Sequence, residues 1–117
     1  HDVSAVLIKD RGSLARMVSN GAIENTYRLQ VTNSQEVERR FRLAVEGLPG
    51  LRIDSQTELT VGAAASASVP LRLLLPGDVA LPHAGRSMRV SVTVTPEASP
   101  TGDPSAVRAE ASFIVPR

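Results

Sequence analysis

The sequence predicts an all-β domain, an antiparallel β-sandwich, and three observations carry that expectation. Apolar residues recur at every second position in six separate stretches, the mark of half-buried strands with one face in a core and one in water. Turn-forming residues separate those stretches. The hydrophobic residues, 42% of the chain, are almost all aliphatic: there is no Trp, one Tyr (Tyr27) and two Phe (Phe41, Phe113). About seven strands at this spacing fit an immunoglobulin-like sandwich. With no cysteine in the chain it is a sandwich without a disulfide.

The elements follow in order. Val6 and Ile8 alternate with Leu7 and Lys9 in a first short strand. Ser19-Asn20-Gly21 is a turn signal before the second, where Tyr27, Leu29 and Val31 alternate with Arg28, Gln30 and Thr32. Asn33-Ser34 separates it from the third, Phe41, Leu43 and Val45 against Arg40, Arg42, Ala44 and Glu46. Leu48-Pro49-Gly50 turns the chain into short elements at 51–54 and 58–61. Val69, Leu71, Leu73 and Leu75 form the next series, closed by Pro76-Gly77-Asp78. Pro70 cannot donate to a ladder, so this strand is expected at an edge or with a bulge. Met88, Val90, Val92 and Val94 form the penultimate strand, and Ala109, Ala111, Phe113 and Val115 the last. Strands joined by short turns are expected to pair as antiparallel neighbours. Residues 12–18 offer at most one helical turn.

Size and charge bound the function. At 117 residues the chain is read as a single domain, 1–117, large enough to bury a core. Thirteen basic residues against twelve acidic ones argue against nucleic acid, which needs a concentrated basic face, and stacking platforms are missing too. No cysteine means no thiolate nucleophile and no cysteine-held zinc or iron–sulfur cluster here. No apolar run reaches the roughly 20 residues of a membrane helix. Without an initial Met or a signal-peptide pattern, the chain reads as a processed protein or a domain excised from a larger one.

Candidate sites are few. The histidines are His1 and His83. A Ser–His–Asp arrangement would need His83 beside a serine, Ser87 being nearest in sequence, and no G-x-S-x-G surrounds any serine. Leu81-Pro82-His83-Ala84-Gly85 reads as a loop with a solvated imidazole. A mature N-terminal His1, joined by His83, could offer nitrogen ligands to Cu(II), which makes a periplasmic copper-binding domain the alternative reading. Met17 and Met88 could suggest Cu(I), but Met88 is in phase with Val90 and Val92 and reads as core filler. Glu36, Glu38 and Glu58 read as solvated charges, not as the paired carboxylates of acid–base chemistry. Arg40 and Arg42 share the outer face of their strand, beside Arg39. Arg28 is outward on the preceding strand, and cross-strand pairing would gather Arg28, Arg40 and Arg42 into a docking face for an acidic partner or anionic headgroups. A glycan-binding sandwich ranks last, because exposed aromatics for sugar rings are missing.

Four segments in order carry a likeness: Ile8-Lys9-Asp10-Arg11; Gly21-Ala22-Ile23-Glu24-Asn25-Thr26-Tyr27-Arg28-Leu29-Gln30-Val31; Asn33; and Val45-Glu46-Gly47-Leu48-Pro49-Gly50-Leu51. In these the chain resembles the C-terminal domain of the FixG/CcoG family, accessory proteins of the cbb-type cytochrome c oxidase. The likeness covers the first half of the chain, and the second half matches as generic strands. It implies Tyr27, Leu29 and Val31 as core, Asn33 as a turn former and Pro49-Gly50 as a turn. It further implies a bacterial inner-membrane parent with transmembrane helices and two [4Fe–4S] clusters upstream, which assists oxidase assembly by reducing copper. This domain would lie on the periplasmic side, touching the membrane through the parent chain alone. The resemblance places no catalytic residue and no cofactor in this chain. The expected function is a non-catalytic interaction or scaffold module, with oxidase subunits or assembly factors as protein partners.

Overall fold

A computed structural model describes residues 2–12, 15–97 and 106–117. It forms two antiparallel sheets packed face to face. The strands are β1 (Val3–Lys9), β2 (Arg16–Met17), β3 (Ile23–Asn33), β4 (Arg39–Glu46), β5 (Arg52–Ile53), β6 (Glu58–Val61), β7 (Ala65–Leu75), β8 (Ser87–Pro96) and β9 (Val107–Ile114). The first sheet has the order β1-β3-β7-β5, with β2 also on β3, and the second the order β6-β4-β8-β9. The expected sandwich is thus present, its seven strands of four residues or more joined by two two-residue strands.

Alternation does what period two requires. Tyr27, Leu29 and Val31 face Phe41, Leu43, Val92, Val94 and Phe113 in one core. β1 reverses the expected phase: the inward row is Val3, Ala5 and Leu7, and Val6 and Ile8 lie outward, about half exposed, because both rows of this strand are apolar and its pattern does not select one. Residues 12–18 hold β2 in their described part, not a helical turn. The Pro76-Gly77-Asp78 signal opens the short helix α1 (Gly77–Ala80), followed by a 3-10 turn at Leu81–His83. β7 is not the edge strand expected, since it lies between β3 and β5, but the stretch around Pro70 is open on one side. β7 pairs β3 along its whole length, but β5 covers only Leu73 and Leu74. The Asp54 N–H donates to the Arg72 carbonyl at 2.8 Å, so even-numbered residues of β7 turn their backbone away from β3. Pro70 therefore removes a donor from the open side and none from the ladder.

One expectation fails. β3 and β4, joined by the short turn after Asn33, are not neighbours: β3 lies in the first sheet and β4 in the second. The connection is an arch across the core. Alternation states which side chains face inward and is silent on which sheet a strand joins.

Candidate functional site

The arch disposes of the arginine face. Arg28 lies on the outer surface of the first sheet, between Ile8 and Pro70, with its guanidinium 3.4 Å from Ser68 Oγ. Arg40 and Arg42 lie on the outer surface of the second sheet. Arg40 is 3.7 Å from the Glu97 carboxylate, and Arg42 donates to the Glu97 carbonyl at 3.3 Å. The core separates the two groups, so the three arginines form no common surface. Around Arg40 and Arg42 the second sheet is mixed in charge, with Arg108–Glu46 at 3.5 Å and Arg89–Glu110 at 3.6 Å. Exposed pairs of this kind are worth about 0–1 kcal/mol each.

His83 is also not where a solvated loop would leave it. Its side chain is half-buried, and Nδ1 is shielded from solvent with no hydrogen-bond partner among the described residues. Among those residues no group of three or more His, Cys, Asp or Glu could hold a metal. His1 lies outside the described residues. Asp2 and Val3 stand at the Asn33 end of the sandwich, while His83 stands at the opposite end, where β8 begins. A chain without cysteine has no thiolate to hold an iron–sulfur cluster, so the clusters implied for the parent do not fit here.

What the structure does build rests on β3. Its inward row runs Ile23, Asn25, Tyr27, Leu29, Val31, Asn33, placing a fully buried asparagine near each end. Asn33 Nδ2 donates to the carbonyls of Val37 (2.9 Å) and Gly62 (3.0 Å), and Oδ1 accepts from the Gln35 N–H (3.0 Å). It ties the β3–β4 arch to the β6–β7 arch. Asn25 Nδ2 donates to the Ile114 carbonyl and Oδ1 accepts the Ile114 N–H, both at 2.9 Å, while Lys9 Nζ also donates to Oδ1. Tyr27 Oη donates to the Ser112 carbonyl at 2.7 Å. Asn25 and Tyr27 thus close the side of β9 that β8 does not use. Lys9 Nζ sits 4.8 Å from the Tyr27 ring centroid. Burial lowers the Lys9 pKa and raises that of Tyr27 well above the usual range, each by disfavouring the charged form. Asn25 could have been found from its phase with Tyr27, which the sequence reading did not use.

Beside Asn25 lies an apolar groove of about 280 Å³. Tight turns shape it. Asn20 (φ 66°) and Gly21 (φ 82°) are left-handed, the region that asparagine and glycine tolerate best. Gly77 packs so closely on this turn that a Cβ there would lie 2.6 Å from the Gly21 carbonyl oxygen. α1 is thereby pressed against the entry to β3. Ile23, Ala80 and Val115 are buried and make the floor, whereas Met17 and Leu81 remain 70% and 74% exposed. Arg16 and Arg117 also line it, and no acidic side chain does so among the described residues. Arg16 Nε is held by the Glu24 carboxylate at 2.9 Å, with two thirds of its side chain still exposed. Nothing in the alternation marks Met17 or Leu81, which come from two connections far apart in sequence. The arrangement has no nucleophile, base or metal ligand set. Its lining is mostly apolar, with Arg16 and Arg117 among the lining residues.

Residues 1–116 match the family described as the "IG-like fold at C-terminal of FixG". The chain is 43% identical over 67 residues to Protein RdxA of Cereibacter sphaeroides, a match that covers 56% of this chain and 14% of RdxA. A crystal structure of a FixG-related protein from Vibrio parahaemolyticus superposes with a TM-score of 0.79 at 21% identity, over 98% of this chain and 97% of that one. Salmonella alpha-2-macroglobulin shares the fold at a TM-score of 0.58 and 14% identity, over 98% of this chain and 7% of that one. The family is defined by an immunoglobulin-like accessory fold, not by a catalytic domain. This chain belongs to the family of immunoglobulin-like domains found at the C-terminal end of FixG.

Proposed function

We propose that this domain is a non-catalytic interaction module of a longer membrane-bound iron–sulfur protein that serves cytochrome c oxidase assembly. The observation that carries the proposal is the match of residues 1–116 to the FixG C-terminal family. The match with RdxA supports the reading as part of a longer protein, because it takes up 14% of RdxA. FixG is described as a candidate oxidoreductase, so in this reading electron transfer and copper handling belong to the longer protein. The [4Fe–4S] clusters sit upstream, the domain lies on the periplasmic side of the bacterial inner membrane, and oxidase subunits or assembly factors are its partners.

Deleting residues 1–117 from the longer protein in its host tests the proposal. Oxidase activity and oxidase copper content in isolated membranes should fall while the truncated protein stays in the membrane with its clusters. Full oxidase activity after the deletion would overturn it.

A further inference from the structure

We infer that the groove beside Asn25 docks a partner protein through an extended segment that combines acidic residues with bulky apolar side chains. The inference rests on the interaction-module reading above and names the surface and the partner chemistry. Three features select this occupant. Met17 and Leu81 bring two large, mostly exposed apolar side chains to one concavity with a buried floor of Ile23, Ala80 and Val115. Exposed apolar side chains scattered singly are ordinary, but gathered around a concavity they mark a binding surface. Second, Arg16 and Arg117 line the groove against a single paired carboxylate, Glu24, which is mostly buried behind Arg16, so the net charge offered to a ligand is positive. Third, the strand at the rim has a side available for pairing. The Val18 N–H donates to the Ala22 carbonyl at 2.8 Å, so Val18 faces β3 and the Met17 backbone turns to the opposite side of β2. An incoming extended segment can meet that backbone while its alternate side chains enter the groove.

A second copy of this chain fits less well. The exposed turn with Glu36, Val37 and Glu38 has suitable chemistry, but it lies at the other end of the molecule. Such a head-to-tail contact does not close, and one valine falls far short of the roughly 1,000 Å² a stable interface buries. A lipid surface fits less well too. A headgroup layer offers no backbone to pair with the open side of β2.

The test is a titration of the ¹⁵N-labelled 117-residue chain with an acetylated six-residue peptide of alternating glutamate and leucine, read by amide shifts. A control peptide carries lysine in place of glutamate. Saturable shifts are expected at Met17, Ile23, Leu81 and Val115, with affinity about tenfold weaker for the lysine peptide. Met17→Asp and Leu81→Asp should each abolish the response, and their spectra report directly that the fold persists. Equal affinity for both peptides, shifts confined to other surfaces, or binding that survives both substitutions would overturn the inference. So would concentration-dependent self-association removed by Val37→Asp, which assigns the groove to a second copy. Binding to phosphatidylglycerol vesicles without peptide binding, lost in the same two variants, would assign it to lipid and overturn it as well. A failed titration beside a deletion that still impairs the oxidase removes the groove and keeps the module. A successful titration beside a harmless deletion keeps the groove and removes the assembly role.

Discussion

The two ends of β3 use the same device for different purposes. At one end Asn33 satisfies the backbone of two arches, and the surface above it is polar, with Asp2, Gln35 and Arg39 linked by side-chain hydrogen bonds and Glu36 and Glu38 in solvent. At the other end Asn25 spends its amide on the backbone of β9, with Lys9 and Tyr27 beside it, and the neighbouring surface is an apolar groove with basic flanks. Both asparagines are fully buried, and both bridge one sheet to the other. The lesson is that stability is settled at both ends by buried amides. Met17 and Leu81 stand outside that arrangement, mostly exposed at the rim of the groove.

Removing the amides is the strongest way to break the comparison. Asn33→Ala would leave the Gln35 N–H and two carbonyls without their partner, and Asn25→Ala would strand the Ile114 backbone and Lys9. Each substitution should lower stability by about 3 kcal/mol in urea unfolding. The two sites lie roughly 26 Å apart along one strand. The double variant should therefore equal the sum of the singles within about 0.5 kcal/mol. A markedly smaller sum would show that the ends are one coupled unit.

Tyr27→Phe sharpens the Asn25 end. The lost hydrogen bond to the Ser112 carbonyl should cost about 1 kcal/mol at pH 7. The pKa of Tyr27 is raised on folding, so its stabilisation is complete below the unfolded value near pH 10 and is lost as pH rises beyond it. Lys9 works in the opposite sense. Its lowered pKa makes the folded state gain as pH climbs toward 10.5 and the amine neutralises. Lys9 is present in both proteins and keeps a ring beneath it in the variant, so most of its own titration cancels in their difference. The advantage of the parent over Tyr27→Phe, measured by urea midpoints at pH 7, 10 and 11, should shrink above pH 10. A constant difference would contradict the assignment.

The smallest effect is expected in the groove. Met17→Asp and Leu81→Asp change mostly exposed side chains and should leave unfolding midpoints within about 0.5 kcal/mol of the parent. A loss of 2 kcal/mol or more would make these residues part of the fold and leave the groove without a separate purpose.

Much of the architecture was legible in the chain. Strand phases other than that of β1, the aliphatic core, the open side of the ladder at Pro70 and the turns at Asn20-Gly21 and Pro49-Gly50 all follow from local rules. Those rules act on a residue and its near neighbours: side-chain alternation, a proline without an N–H, a left-handed glycine. The segments that carried the family likeness turn out to be structural, with Gly21 against Gly77, Asn25 on β9 and Asn33 under the arches. The candidate site was not legible. Met17 and Leu81 belong to connections 64 residues apart with no shared period.

The sequence alone determined that side chains alternate between core and solvent, because a strand's pleat alternates whatever its neighbours are, and it set the phase wherever one row is apolar, as it is not in β1. Only the tertiary structure decided which sheet each strand joined. Hairpin and arch bury the same alternating row, so the choice between them depends on contacts distant in sequence, such as Asn33 with Gly62. That choice set Arg28 on one face and Arg40 and Arg42 on the other, and it brought Met17 and Leu81 to a single groove.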